Sequence, residues 1–262
     1  MAVIGTLVLA FMLKTPIPTS LREVWTLIGT GFITGGHWIF FFLSAKVSKI
    51  SVCLAGVATT AIFCAFLEPI LLGTRFRKGD LLLALLGGVG LYVIFHFEFD
   101  HFWGLVYALI AAFLSALFGT LNGLHIRKHS PVTITFYELA AACVFACLAW
   151  VAYNFFSETP IIAQIPTLSD FGYLAILSLV CTVYAFYAAT TLLKKLSPFV
   201  INLYVNLEPV YGIILALIIF KEKEQMTSGF YAGTALILAS VVFYPVFEKA
   251  RSNKIKNDTI KK

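Results

Sequence analysis

Four side chains able to carry a charge or a proton stand inside long apolar runs of this sequence: His37, Glu68, Glu138 and Glu208. A carboxylate at the centre of a bilayer costs about 2.5 to 3.5 kcal/mol on insertion scales, so each such group needs a partner, a cavity or a neutralising proton. Glu208 is the most central, and Pro209 after it removes a backbone donor and frees a carbonyl one turn earlier. At helical spacing Tyr204, Glu208 and Tyr211 share one face, while Asn202 and Asn206 share a neighbouring one. That combination suits a site for a solute or a proton. The architectural alternative is that Glu208 bonds a neighbouring helix and merely holds the bundle together. Leu-Glu-Pro recurs at 67 to 69, near a helix end, which gives Glu68 an interfacial or structural role.

Glu138, in TFYELA, lies one or two turns from a basic loop, where snorkelling to the interface accounts for it. His37 follows Gly35 and Gly36, which let another backbone approach closely. It reads as a proton carrier or solute contact, or else as a buried histidine hydrogen-bonded within the bundle. Trp38, Tyr184 and Tyr187 can wall a cavity or pack as ordinary aromatics in a chain that is 15% aromatic. Thr59, Thr60 and Asn122 can donate hydrogen bonds to a solute or to a neighbouring helix. Gly229 and Gly233 match the small-xxx-small pattern of close helix packing. The five cysteines fall in apolar runs without the Cys/His spacing of a zinc site, so no metal is expected. No GxxxxGK[ST] is present, and no cofactor is expected.

The elements that must position these residues are membrane helices. Of 262 residues 60% are hydrophobic and 12% charged, and the mean hydropathy is +0.92. A water-soluble surface cannot be built from that composition. Apolar runs fall near 1 to 13 (short), 24 to 43, 51 to 73, 80 to 97, 102 to 124, 133 to 156, 171 to 193, 198 to 220 and 228 to 247. They are continuously apolar rather than alternating, so they predict helices and not barrel strands. An all-α integral membrane fold of about nine helices is therefore expected.

Basic residues set the orientation, because basic loops stay on the cytoplasmic side. Lys14, Arg22, Arg75, Arg77, Lys78, Arg127, Lys128, Lys194, Lys195 and six residues of the tail lie on one side. Only Lys46, Lys49, Lys221 and Lys223 lie on the other. The C-terminus is expected to be cytoplasmic, with 248–262 a basic tail. The net charge of +6 belongs to these loops and the tail, not to a nucleic-acid-binding face.

A shift of 146 positions lays residues 36 to 52 over 182 to 198, pairing Trp38 with Tyr184, Phe41 with Tyr187 and Ser51 with Ser197. The same shift lays 82 to 95 over 228 to 241 and pairs Gly87 with Gly233. The chain thus reads as two copies, 1–100 and 101–247. The second copy has five spans, and an odd number inverts one copy relative to the other. On this register the first helix of the first copy is missing and the second is clipped.

A five-plus-five inverted repeat with this polarity resembles the drug/metabolite transporter superfamily, and within it the EamA-type transporters. The stretch 196 to 240, with its Ser-Pro entry, polar helix with a central proline, acidic loop and glycine-containing last helix, is similar to that family's final two helices. Residues 50 to 76 resemble the corresponding fourth helix. The resemblance implies a secondary transporter that moves an amino-acid-like or related metabolite, in the export direction, by alternating access, and is not an enzyme. The residues expected to contact solute are His37, Trp38, Thr59, Tyr184, Tyr187, Asn202, Asn206 and Glu208. Expected partners are a small-molecule solute and the lipid bilayer, with protons and a second copy of the chain as candidates and no nucleic acid. The competing readings are an integral membrane enzyme acting on a lipid-type substrate and a scaffold without transport activity.

Overall fold

The computed structural model describes residues 1–16, 18, 20–74, 76, 78–97, 99–157, 166–205, 208–220, 226–240 and 242–243. Among these residues every regular element is helical. In chain order they are α1 (Ala2–Met12), α2 (Leu21–Val47), α3 (Ile50–Val57), α4 (Thr60–Leu72), α5 (Lys78–Phe97), α6 (Phe102–His125) and α7 (Pro131–Phe156). Then follow α8 (Leu168–Ser178), a π turn (Leu179–Tyr184), α9 (Ala185–Leu192), α10 (Pro198–Val205), α11 (Glu208–Phe220) and α12 (Ser228–Ser240).

Leu21–Val47, Ile50–Leu72, Phe102–His125, Pro131–Phe156 and Leu168–Leu192 are each long and apolar enough to cross a membrane. At about 1.5 Å per residue, even the 23 residues of Ile50–Leu72 exceed the roughly 30 Å hydrocarbon core. All nine apolar runs read from the sequence coincide with described helices, the last two as far as their described residues extend. The expected all-α membrane fold is the observed one.

Local chemistry sets several helix ends. Ser130 caps α7, its Oγ accepting from the Thr133 backbone N at 3.1 Å, and Pro131 occupies the first turn where no donor is needed. Thr167 and Asp170 form a reciprocal capping box on α8. Gly73 ends α4 at φ +68°, a left-handed conformation that glycine adopts without penalty.

Two of the expected straight helices depart from uniform α geometry. Between α3 and α4, Thr59 N bonds Gly56 O (3.1 Å) and Ile62 N bonds Thr59 O (2.9 Å), the tighter three-residue spacing. The seventh run widens instead into the π turn, where Thr182 Oγ1 donates to Leu177 O, five residues back, at 2.8 Å.

The chain forms two compact units, and each draws helices from both halves of the sequence. The first comprises Met1–Ile39 and Phe118–Ile201. There α1 and α9 pack on α7. Gly31 and Gly35 of α2 also lie against α7: a Cβ on Gly31 would fall 2.6 Å from Glu138 O, and one on Gly35 would fall 3.2 Å from Ala142 Cα. Such glycines let helix backbones meet, which is how helices associate where lipid removes the hydrophobic drive.

The second unit comprises Phe40–Leu117 and Asn202–Lys262. Its core gathers Val52, Leu54, Ala55, Ala58, Ile94, Leu105, Phe230 and Ile237. The Gly229 and Gly233 pattern serves close packing, as its spacing suggests: Gly229 faces the Phe97 ring, and Gly233 faces Gly90 and Ile94. Gly87, in turn, faces Ile62 and the hydroxyl of Ser240.

Candidate functional site

In the first unit His37 and Trp38 stand on consecutive positions of α2 and enter one aromatic ladder. The His37 ring lies edge-on to Phe118 with centroids 5.7 Å apart, and Phe118 stacks on Phe186 at 6.0 Å. Trp38 closes the ladder edge-on to Phe186 at 5.7 Å. Edge and offset-stacked contacts of this kind hold ring orientations firmly. The aromatic neighbour recorded for Trp38 is therefore Phe186, a residue the sequence reading did not single out. Tyr184, the sequence mate of Trp38, ends the π turn with an exposed side chain, and Tyr187 is half-buried one turn on.

The same unit holds a buried polar cluster that the sequence reading did not assemble. Glu138 is fully buried, and Asn122 Nδ2 donates to its Oε2 at 3.1 Å. Snorkelling of Glu138 to the interface is thus corrected. Gly31 brings the α2 backbone against its own backbone, and Asn122 draws the carboxyl inward. Asn122 takes the second of its two expected roles, bonding a neighbouring helix. One turn along α6, His125 Nε2 lies 2.9 Å from the buried Thr30 Oγ1. The glycines at 31 and 35 were the available signal, since four-residue glycine spacing marks a face where a partner backbone, and any polar group on it, will be enclosed.

In the second unit Glu208 heads α11 and is exposed, as are Tyr211 (65%) on the same helix and Tyr204 (60%) on α10. An exposed carboxylate beside exposed tyrosines is costly in hydrocarbon and at home in water. It can accept hydrogen bonds, pair with a cationic group or carry a proton, while the tyrosines offer rings and hydroxyls. Asn202 is half-buried, and its Nδ2 lies 3.2 Å from Cys64 Sγ. Thr59 is buried, and its hydroxyl donates to Gly56 O at 2.6 Å, filling an acceptor at the tightened turn. Thr60 does the same to Val57 O at 2.7 Å. Asn206 lies outside the described residues. The structure therefore groups His37, Trp38, Tyr184 and Tyr187 in one unit and Thr59, Asn202 and Glu208 in the other.

Comparison with known proteins adds two findings. The sequence profile of the EamA-like transporter family matches residues 102–244. A solved crystal structure of a protein superposes over 94% of this chain and 84% of its own, with TM-score 0.67 and 16% sequence identity. At that identity the likeness shows the fold alone. No curated protein matches the chain.

Proposed function

The chain belongs to the EamA-like transporter family, and from that premise we propose that it exports a small amino-acid-like or related metabolite across the cytoplasmic membrane by alternating access. The carrying observation is that Tyr204, Glu208 and Tyr211 are all exposed within the apolar stretch 198 to 220, read here as a membrane span. An acid kept open at that depth is expensive to maintain without water or a solute to meet it. Such a solute carries a cationic or hydrogen-bonding group, as an amino acid does.

The domain reading is two inverted copies, 1–100 and 101–247, followed by the basic tail. Its support is a pair of contacts in the second unit. Gly87 lies 3.7 Å, from its ideal Cβ, to Ser240 Oγ, and Gly233 lies 2.6 Å in the same measure from Ile94. Adding 146 to 87 gives 233, and adding 146 to 94 gives 240, so one contact maps onto the other when the copies are exchanged. That is the behaviour of helices related by a pseudo-two-fold axis. The basic loops support a cytoplasmic C-terminus.

Proton coupling is assigned to Glu208 or His37. The test is flux of radiolabelled amino acids in proteoliposomes under an imposed pH gradient. Glu208→Gln is expected to abolish the pH-driven component, and unchanged flux would remove Glu208 from that role.

A further inference from the structure

Three side-chain oxygens, one on α6 and two on α7, are buried without a hydrogen-bond partner among the described residues. Glu138, Asn122 and Thr135 are 0%, 3% and 1% exposed. Asn122 Nδ2 satisfies Glu138 Oε2, yet Glu138 Oε1, Asn122 Oδ1 and Thr135 Oγ1 have no hydrogen-bond partner among the described residues. Thr135 precedes Glu138 by three positions, which sets both on one face of α7. On the α2 side the gap is closed by backbone, since Gly31 abuts Glu138 O.

The Glu138 carboxyl thus has the Asn122 amide beside it and the Thr135 hydroxyl on its own helix face, and all the unpartnered atoms are hard oxygen donors. A buried carboxyl must either hold its proton or, once ionised, meet a compensating cation, and a carboxylate, an amide oxygen and a hydroxyl match small hard cations rather than thiophilic metals. The side chains on the surrounding elements do not offer that charge in fixed form. From α6 the nearest titratable group is His125, occupied with Thr30. The adjoining part of α2 presents Thr30, Gly31 and Thr34, with Arg22 and Glu23 two turns away at its start. Tyr137 is the neighbour on α7, α9 contributes Tyr187, and Ala2–Met12 has no titratable side chain.

We propose that Glu138, Asn122 and Thr135 bind a small monovalent cation, held either as a proton on the Glu138 carboxyl or as sodium shared among the three oxygens. Any part this cation plays in transport, beside the proton coupling proposed for Glu208 or His37, rests on the function proposed above; its binding as an ion does not, because that is measurable without solute or flux.

The purified full chain in detergent is titrated with sodium chloride against choline chloride at constant ionic strength and fixed pH, then with pH at fixed sodium. Unfolding is followed by tryptophan fluorescence, and Glu138→Gln is compared with the unsubstituted protein. A saturable sodium-dependent rise in Tm that Glu138→Gln loses identifies sodium. A pH-dependent Tm lost in Glu138→Gln, insensitive to sodium and accompanied by the infrared band of a buried protonated carboxyl, identifies a proton. Equal responses of both proteins to sodium and to pH overturn the proposal. Should Glu138→Gln not fold, Asn122→Ala and Thr135→Val keep the carboxyl and decide the matter. Each is expected to weaken sodium binding about tenfold or more, in line with the loss of a ligand or its support, or to move the pH midpoint by about one unit. Unaltered midpoints in both overturn the site.

Discussion

Gly90 and Gly233 face each other so closely that a Cβ on either would lie 2.5 Å from the other's carbonyl oxygen. This contact joins α5 to α12 backbone against backbone, and a side chain at either position must force the helices apart. Gly233→Leu is expected to lower stability by about 1–3 kcal/mol, the usual range for overpacking. Gly88, where an added Cβ would meet nothing within 4 Å, supplies the control: Gly88→Ala should be neutral or stabilise by up to about 1 kcal/mol through helix propensity. Thermal unfolding in detergent checks both.

Removing the amide that reaches Glu138 leaves a buried carboxyl oxygen without its donor. Asn122→Ala is expected to cost about 1–3 kcal/mol, the penalty for an unsatisfied buried polar group. A denaturant titration of the purified protein measures it.

Glu208 behaves in the opposite way, because its side chain is exposed rather than packed. Glu208→Gln should leave stability within about 0.5 kcal/mol of the parent while the pH-driven flux is lost. A large fall in Tm would assign Glu208 to holding the bundle together instead.

Trp38 touches Phe186 edge-on, and that ladder gives its fluorescence a local reporter role. Solute-dependent quenching is expected to disappear in Trp38→Phe and to persist in Trp25→Phe. Quenching that survives in Trp38→Phe would place the solute away from this ladder.

The cap of α7 can be tested without touching any of these groups. Ser130→Ala removes the acceptor for the Thr133 amide and is expected to cost about 1 kcal/mol. A shift in thermal midpoint reports it.

The membrane fold was legible because hydrocarbon imposes a length and a composition that no other environment demands. The apolar runs therefore coincide with helices wherever their residues are described. What periodicity does not say is which face meets a neighbour. Glu138 stands eight residues into α7, a position equally compatible with reaching outward and with burial. Only the approach of Gly31 and the amide of Asn122, far away in sequence, decide it. The bond from the Thr59 hydroxyl to Gly56 O belongs to a local tightened turn, which apolar periodicity does not report. Phe186 carried no polar signal at all, and its contact with Trp38 arises from packing.

The π turn at Leu179–Tyr184 carries one more consequence. A helix that takes an extra residue into one turn is out of phase on its two sides by about 100°, the rotation of a single residue. Regularising that turn would swing Ala185–Leu192 around its own axis relative to α8, and Phe186 would leave the face on which it meets Trp38. The aromatic ladder is thus keyed to a surplus residue, like a dial set one notch from rest.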